Sequence, residues 1–421
     1  MPFTASESVQ AALLALHVEV HSPLSPPTAL ASERRLLAVQ TFAALLRALA
    51  AEDAGLEDVQ VGHGLSLLLK AADQGAELAV GGEKELCVTA LQTLQLLIQG
   101  SSSTDALGFF LPGMSIGLCR HALRASARSS TATAVAALDA LIDLLRATVG
   151  DDTCASSRTA SAEVSLASLA TCSPEIVPSL MHKATTPPAQ ELRVDRSAAW
   201  LESTASKLAL LVHRLCDALE GNSKSSIRAA LARLTACIAL SCSSSLPACA
   251  ERSLRCLLFL ANDTWPQVSA VATLSLASIA SKSAGHVPAA SPSLRMVEAV
   301  LVQQLGAFSE ACARHEQEVV AVARLLVRAI ELAGPSGFNS AVLAVPPRRA
   351  MLCSCLLRAF AVAPTKRLPV AFLSPIPFQQ DAADGQPLTV DLPRRCQRLS
   401  LLSTDEVRGV TLCAPRVFLT L

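Results

Sequence analysis

Between Asp195 and Ile279, four segments of helical apolar spacing alternate with short polar turns, and the pattern returns after about forty residues. A single helix pair of this kind cannot cover its own apolar face and must stack on a neighbour. The recurrence therefore constrains the fold before any one residue does. It predicts an all-α chain, a HEAT/armadillo-like α-solenoid of stacked antiparallel helix pairs, and it directs the search for function to extended surfaces.

The repeat is readable position by position. Residues 193–196 lead into a helix with Leu208, Leu211, Val212, Leu215 and Leu219 on one face, ended by Gly221 and Asn222. The next carries Ile227, Leu231, Leu234 and Ile238 at steps of four, three and four. A third carries Leu254, Leu257, Leu258 and Ala261 and ends at Asn262 and Asp263. Pro266 falls in the first turn of the fourth, where its missing amide costs nothing, and Val268, Val271, Ala272 and Ile279 form that helix's inner face. Ile227 and Val268 are equivalent positions 41 residues apart, inside the ~40 to 47 of HEAT or armadillo units.

The rest of the chain follows the same grammar with interruptions. Residues 1–150 read as N-terminal HEAT-like repeats, with helices over 34–50 (Leu36, Val39, Ala43, Leu46), 85–99 (Cys87, Leu91, Leu94, Ile98) and 131–149 (Val135, Leu138, Ile142, Leu145, Val149). Residues 151–192 form a Ser/Thr/Pro-rich inter-repeat loop with a weak helical turn at 166–169. That loop is readable as a flexible insertion on the solenoid edge or as a phosphorylatable segment. Residues 193–280 hold two HEAT repeats, a second loop covers 281–293, and a further helical repeat runs to 334. Residues 335–421 are Pro-rich and partly irregular, with ten of the chain's 23 prolines and one short helix at 349–361.

Composition excludes several classes of function. Hydrophobic residues make up 51% of the 421, aromatic ones only 3%, with no Tyr, so the core is built from Leu, Val and Ala, as close-packed helices require. Thirty-five basic and 35 acidic residues balance to zero net charge, which leaves no basic field for nucleic acid. Among the 14 cysteines, Cys87, Cys216, Cys237, Cys256 and Cys312 sit in helical apolar patterns as small hydrophobes. No C-x-x-C pair exists, and Cys353 with Cys355 has no second pair to complete a zinc site, so no metal is expected. The N-terminus lacks the blocks of a signal peptide, and no uncharged apolar run reaches the ~20 residues of a membrane span. Free cysteines and these absences place the chain in the cytoplasm, or also in the nucleus, with no membrane partner. No glycine-rich phosphate cradle is present, so neither a cofactor nor a small-molecule substrate is expected.

Individual residues offer candidates. Gly113, Ser115 and Gly117 match the G-x-S-x-G of a nucleophile elbow, which needs a strand before the serine. Only residues 109–111 are available for that strand, Pro112 follows at once, and no βαβ alternation surrounds it, so the segment reads as a Pro-Gly break opening a helix. His213, among Leu211, Val212 and Leu215, reads as a packed or capping histidine. Trp200 and Trp265 stand near helix starts, as partner anchors or as inter-repeat packing. Arg228 enters an apolar stripe and is expected to bond an adjacent turn through Asp195 or Asp263.

Taken together, Asp195, Arg196 and Trp200, then Ile227, Arg228 and Leu231, then Leu240, Cys242 and Leu246, then Asp263, Pro266 and Val268 resemble the TELO-two-interacting protein one family. The run from Phe110 through Pro112 and Gly113 to Ser115, followed by the helix over 134–149, resembles that family's N-terminal half. The resemblance covers about 109–149 and 193–279. It implies a large HEAT-repeat scaffold of the TTT co-chaperone complex, non-catalytic, which joins two other helical subunits. With the Hsp-ninety chaperone system such a scaffold supports maturation of the phosphatidylinositol-kinase-like protein kinases. Pro112, Gly113, Asp195, Arg196, Trp200, Arg228, Asp263 and Pro266 would be its motif residues, structural or partner-facing. Two departures stand out. The chain is far shorter than members of that family usually are and ends at Leu421 without a polar capping repeat, as a truncated piece or a short divergent form would. Ser269 stands where HEAT units often carry Arg. An unrelated transport or phosphatase adaptor is the alternative, although transport receptors are usually strongly acidic and this chain is neutral.

Overall fold

The computed structural model describes residues 5–21, 29–52, 54–77, 83–102, 104–156, 194, 196–285, 292–314 and 319–360. Among them every regular element is a helix: α1 (Ala5–His21), α2 (Ala29–Ala51), α3 (Asp58–Glu77), α4 (Glu83–Gly100), α5 (Thr104–Ala127), α6 (Thr131–Val149), α7 (Ala198–Leu219), α8 (Ser225–Ser241), α9 (Pro247–Leu260), α10 (Pro266–Gly285), α11 (Pro292–Arg314), α12 (Val319–Phe338) and α13 (Pro346–Phe360). Two compact units are present, 1–296 and 297–421.

The first unit is the solenoid. Helices α1, α3, α5, α7 and α9 pack side by side in one layer, and α2, α4, α6, α8 and α10 in the other. Within the odd layer the helices run parallel: early in each helix, Phe110 of α5 lies over Gly62 of α3, and late in each, Arg120 reaches Asp73 at 2.6 Å. Across the layers the direction reverses, with Gly64 near the start of α3 against Leu97 near the end of α4. The interior is aliphatic, with Leu65, Leu68, Leu94, Leu97, Leu107, Leu111 and Leu138 all fully buried. Close approach of α3 and α5 depends on two glycines. A Cβ at Gly62 would lie 2.5 Å from the Phe110 ring, and one at Gly117 would lie 2.7 Å from Leu69.

Most positions of the apolar stripes read from sequence are buried by the fold, while Leu36, Val135, Leu211 and Val271 are half-buried. Ile227, Leu231, Leu234 and Ile238 of α8 are buried, as are Leu208, Val212, Leu215 and Leu219 of α7. Helix ends are satisfied locally: Ser197 Oγ accepts the Trp200 amide at 3.4 Å at the start of α7, and Pro266 opens α10. At the end of α1, the orphan carbonyls of Glu19 and Val20 accept Arg35 Nε at 3.0 Å and Gln74 Nε2 at 2.9 Å.

Several expectations are corrected. Residues 110–115 do not open a helix, because α5 begins at Thr104 and runs through Pro112. An internal proline costs about 3 kcal/mol. Leu107 and Leu111, both fully buried, each return roughly 1.5 to 3 kcal/mol, so continuing the helix wins. The loop expected from residue 151 does not begin there, since 151–156 are helical: the Cys154 amide bonds Gly150 O at 2.9 Å and the Cys154 side chain is buried. Residues 157–193, including the expected turn at 166–169, lie outside the described residues. Of the loop expected at 281–293, residues 281–285 belong to α10. His213 is exposed, neither packed nor capping. Helices α1 and α3 have no counterpart among the individual expectations.

The second unit comprises the rest of α11, then α12, a π turn at Asn339–Leu343, and α13. Among the described residues helical order continues past residue 334, as far as Phe360. Gly334 takes φ 66°, a left-handed conformation open to glycine, and Pro335 restarts the helix where a missing amide is harmless. Ser340 Oγ donates to Glu298 Oε1 at 2.7 Å, and Arg348 Nη1 to Ala341 O at 2.8 Å. Residues 361–421 lie outside the described residues.

Two outcomes follow. Leu231→Ala lowers stability in urea titration by about 2 to 5 kcal/mol through the cavity it leaves, whereas Leu210→Ala, at a position 75% exposed, stays within about 0.5 kcal/mol. At the α1–α3 contact His17 stacks on His21 at 4.2 Å, and its Nδ1 lies 3.2 Å from His63 Nε2. Burial, then the charges of His17 and His21, hold the His63 pKa below its ordinary 6.5. Its neutral form is the folded one, so its contribution is present above 6.5 and fades as pH falls below that value. Backbone exchange of α1, corrected for intrinsic rates, is therefore faster at pH 5.5 than at 7.5, and His63→Gln removes the difference.

Candidate protein-binding surface

The motif residues divide into three places. Arg196 is buried between the start of α5 and the end of α6. Its Nε donates to Thr148 O at 3.1 Å, its Nη2 to Thr104 O at 2.6 Å, and its Nη1 pairs with Asp105. Val194 lies beside it against Gly108, while Asp195 lies outside the described residues. The guanidinium thus bonds the Thr148 carbonyl near the end of α6, the Thr104 carbonyl at the start of α5 and one carboxylate at a helix junction, which is a structural role.

Arg228, Asp263 and Pro266 form the second place. Arg228 Nε and Nη2 bond Asp263 Oδ2 and Oδ1 at 2.5 and 2.9 Å, with both side chains at most 10% exposed, and Nη1 donates to Asn222 O. Asp263 Oδ1 also accepts the Trp265 amide at 2.9 Å, capping the helix that Pro266 opens. One ion pair therefore ties the α7–α8 turn to the α9–α10 turn. Hydrogen bonding to Arg228 holds the Asp263 carboxyl below its ordinary range and raises Arg228. Ser269, where an arginine was expected, turns its hydroxyl back to Trp265 O and Pro266 O at 3.4 Å. Trp265 is 56% exposed and Trp200 is half-buried.

The third place is the outward face of α5, where Pro112 and Gly113 are exposed between Phe109 and Ile116, each 56% exposed. By length and composition alone α5 could cross a membrane, but most of its apolar window is buried, and the helix packs on α3, α6 and α7. Sequence reasoning missed this face, and with it Arg252 with Asp217 and Glu220, Arg233 with Asp139, and Gln95 and Gln99 on Asp143. The signal for the ion pairs was a charge interrupting an apolar stripe, as at Arg228.

Arrangements resembling catalytic ones are closed to substrate. Ser115 lies mid-helix and fully buried. Cys87 Sγ lies 4.0 Å from His121 Nδ1, and His121 Nε2 lies 3.1 Å from Asp73 Oδ1, in the order of nucleophile, base and orienting carboxylate. Cysteine and histidine are both almost fully buried, and burial pushes the thiol up to about 11. Among the described residues no group of three His, Cys, Asp or Glu side chains is placed to hold a metal. A cavity of about 160 Å³ opens beside Asp151, Ser243 and Lys282, but Asp151 already accepts the Ser244 and Ser245 amides and Lys282 donates to Leu240 O.

Asp263→Asn leaves the buried Arg228 charge uncompensated and destabilises the chain by about 3 to 5 kcal/mol in urea titration. Because the folded carboxyl is held low, that contribution is present above 3.8 and is lost as pH falls through the lower folded value, so wild type and variant converge in acid.

Residues 5–264 match the family model described as the TTI1 N-terminal TPR domain. Its repeat name differs from the HEAT or armadillo units read above, but both are α-solenoids of antiparallel helix pairs. Human TELO2-interacting protein 1 homolog is 34% identical over 80 residues, which are 19% of this chain and 7% of that protein. A chain from a solved structure of microtubule polymerases with tumor overexpressed gene (TOG) domain arrays shares 9% identity over 84% of this chain and 97% of its own, at a TM-score of 0.17, too low to bear on the fold. With 5–264 of its 421 residues inside the family model and an all-helical stack across that range, this chain belongs to the TTI1 family.

Proposed function

We propose that the chain is a non-catalytic scaffold subunit of a TTT-like co-chaperone complex, supporting maturation and stability of phosphatidylinositol-kinase-like protein kinases. The observation that carries this reading is the family match across 5–264, whose described residues fold as two helical layers. A stack of this kind offers long surfaces rather than a pocket, and the side-chain clusters that imitate catalytic sites are buried. The name of the human relative adds an interaction with TELO2. Its partners are then the other TTT subunits, the kinases and the Hsp-ninety system, met in the cytoplasm and the nucleus.

Affinity purification of the tagged chain from its own cells at physiological salt, read by mass spectrometry, tests this. Co-elution of the other TTT subunits or of a giant kinase is expected. Recovery of transport or phosphatase subunits alone, or of no partner, overturns it.

A further inference from the structure

Three of the chain's eight histidines meet where α1 packs on α3. His17 and His21 stand one turn apart on α1, at i and i+4, and His63 reaches them from the second turn of α3. His21 and His63 are exposed and His17 is half-buried, so an ion from solvent has access to the rings.

The two nitrogens that face each other are spaced for a shared ligand. A tetrahedral zinc ion about 2.0 to 2.1 Å from each of two imidazole nitrogens sets those nitrogens about 3.3 Å apart and the ring centroids about 5.2 Å apart. His17 Nδ1 lies 3.2 Å from His63 Nε2, and their ring centroids are 5.3 Å apart with the planes at 65°. His21 holds the His17 ring in place. Its Nδ1 donates to the His17 carbonyl at 3.1 Å, and its ring lies on that of His17 at 4.2 Å and 21°. Groups that support a metal-ligating histidine from behind fix the direction of its lone pair in this way.

The donor set selects the ion. Among the described residues no carboxylate pairs with His17 or His63, so magnesium and calcium, which take oxygen ligands, are not served here. Neutral imidazole suits zinc, copper and nickel. The two rings stand 46 residues apart in the chain, so an ion held by both ties α1 to α3, a contact to which Gln74 adds one bond at Val20 O.

We propose that His17 Nδ1 and His63 Nε2 bind one zinc ion, with water completing its shell, and that the ion clips α1 to α3. Two protein ligands form this site, with His21 as a positioning residue. The proposal does not depend on the scaffold reading.

The test uses the full chain, stripped of metal with a chelator and kept reduced, beside His17→Gln, His63→Gln and His213→Gln, the last at an exposed histidine of α7. Zinc is titrated into each by calorimetry, and backbone exchange of α1 is followed at one pH with and without the metal. Wild type and His213→Gln are expected to take up one equivalent more than the other two proteins and to show slower α1 exchange when zinc is present. His17→Gln and His63→Gln each bind that equivalent at least tenfold more weakly and show no slowing. Both variants also lose the bond between the rings, so the quantity compared is the change that zinc makes in each protein. Equal uptake by all four proteins, slowing of α1 that survives either substitution, or uptake by wild type without slowing overturns the proposal, and the two rings then share a hydrogen bond alone.

Discussion

A stack of helix pairs is only as continuous as the joints between its pairs, and the joint on which this one depends is the buried guanidinium of Arg196. Residues 157–193 separate α6 and its short helical extension from α7 along the chain. Three bonds from one side chain, to Thr104 O, Thr148 O and Asp105, fix where the chain re-enters the stack. Once re-entry is fixed, α7 falls beside α5 and α8 beside α6, and burial of their leucines holds them there. Arg228 repeats the device one pair later, tying two turns through Asp263. A planar fork of donors suits this work, because it meets backbone carbonyls and a carboxylate at once.

Both layers show polar links between neighbouring helices and uncovered apolar side chains outside. On the even layer, neighbouring helices are linked by polar contacts, Gln95 and Gln99 of α4 to Asp143 of α6, and Asp139 of α6 to Arg233 of α8. Those groups are occupied with one another. The odd layer is linked likewise, Arg120 of α5 to Asp73 of α3 and Arg252 of α9 to Asp217 of α7, and it leaves Leu14, Val18, Val59, Phe109, Ile116, Leu210 and Phe259 exposed, as the even layer leaves Leu37 and Leu274. Polarity that is internally satisfied offers a partner little, while uncovered apolar area offers it the hydrophobic term.

What the sequence made legible follows from contrast. Helices α4, α6, α8 and α9 stood out because Leu and Ile recur on one side with polar residues on the other. Helix α1 was not seen, because Leu14 and Val18 are exposed while Leu13 and Leu16 are buried, which blurs the stripe. Helix α3 carries Gly62 and Gly64, and its sequence gives no sign that Phe110 and Leu97 need the space they leave. Pro112 misled for the same reason: its local cost is visible in sequence, and the burial on both sides of it is not. Arg228 was legible as an internal bond, with Asp263 one of two candidate partners. The exposed face of α5 was not, since in sequence an apolar residue carries no sign of which side it faces.

The sparse aromatic content has an optical consequence. With no Tyr and only two Trp, the near-ultraviolet emission of the described helices arises from Trp200, in the first turn of α7, and Trp265, beside the Asp263 cap of α10. Both indoles sit in the same two helix pairs. Intrinsic fluorescence therefore watches one region of the solenoid and is blind to α1–α6, so a melting curve recorded that way describes the Arg228 joint rather than the molecule. Comparison with circular dichroism, which weighs every helix equally, turns that blindness into a direct reading of whether the stack comes apart all at once or pair by pair.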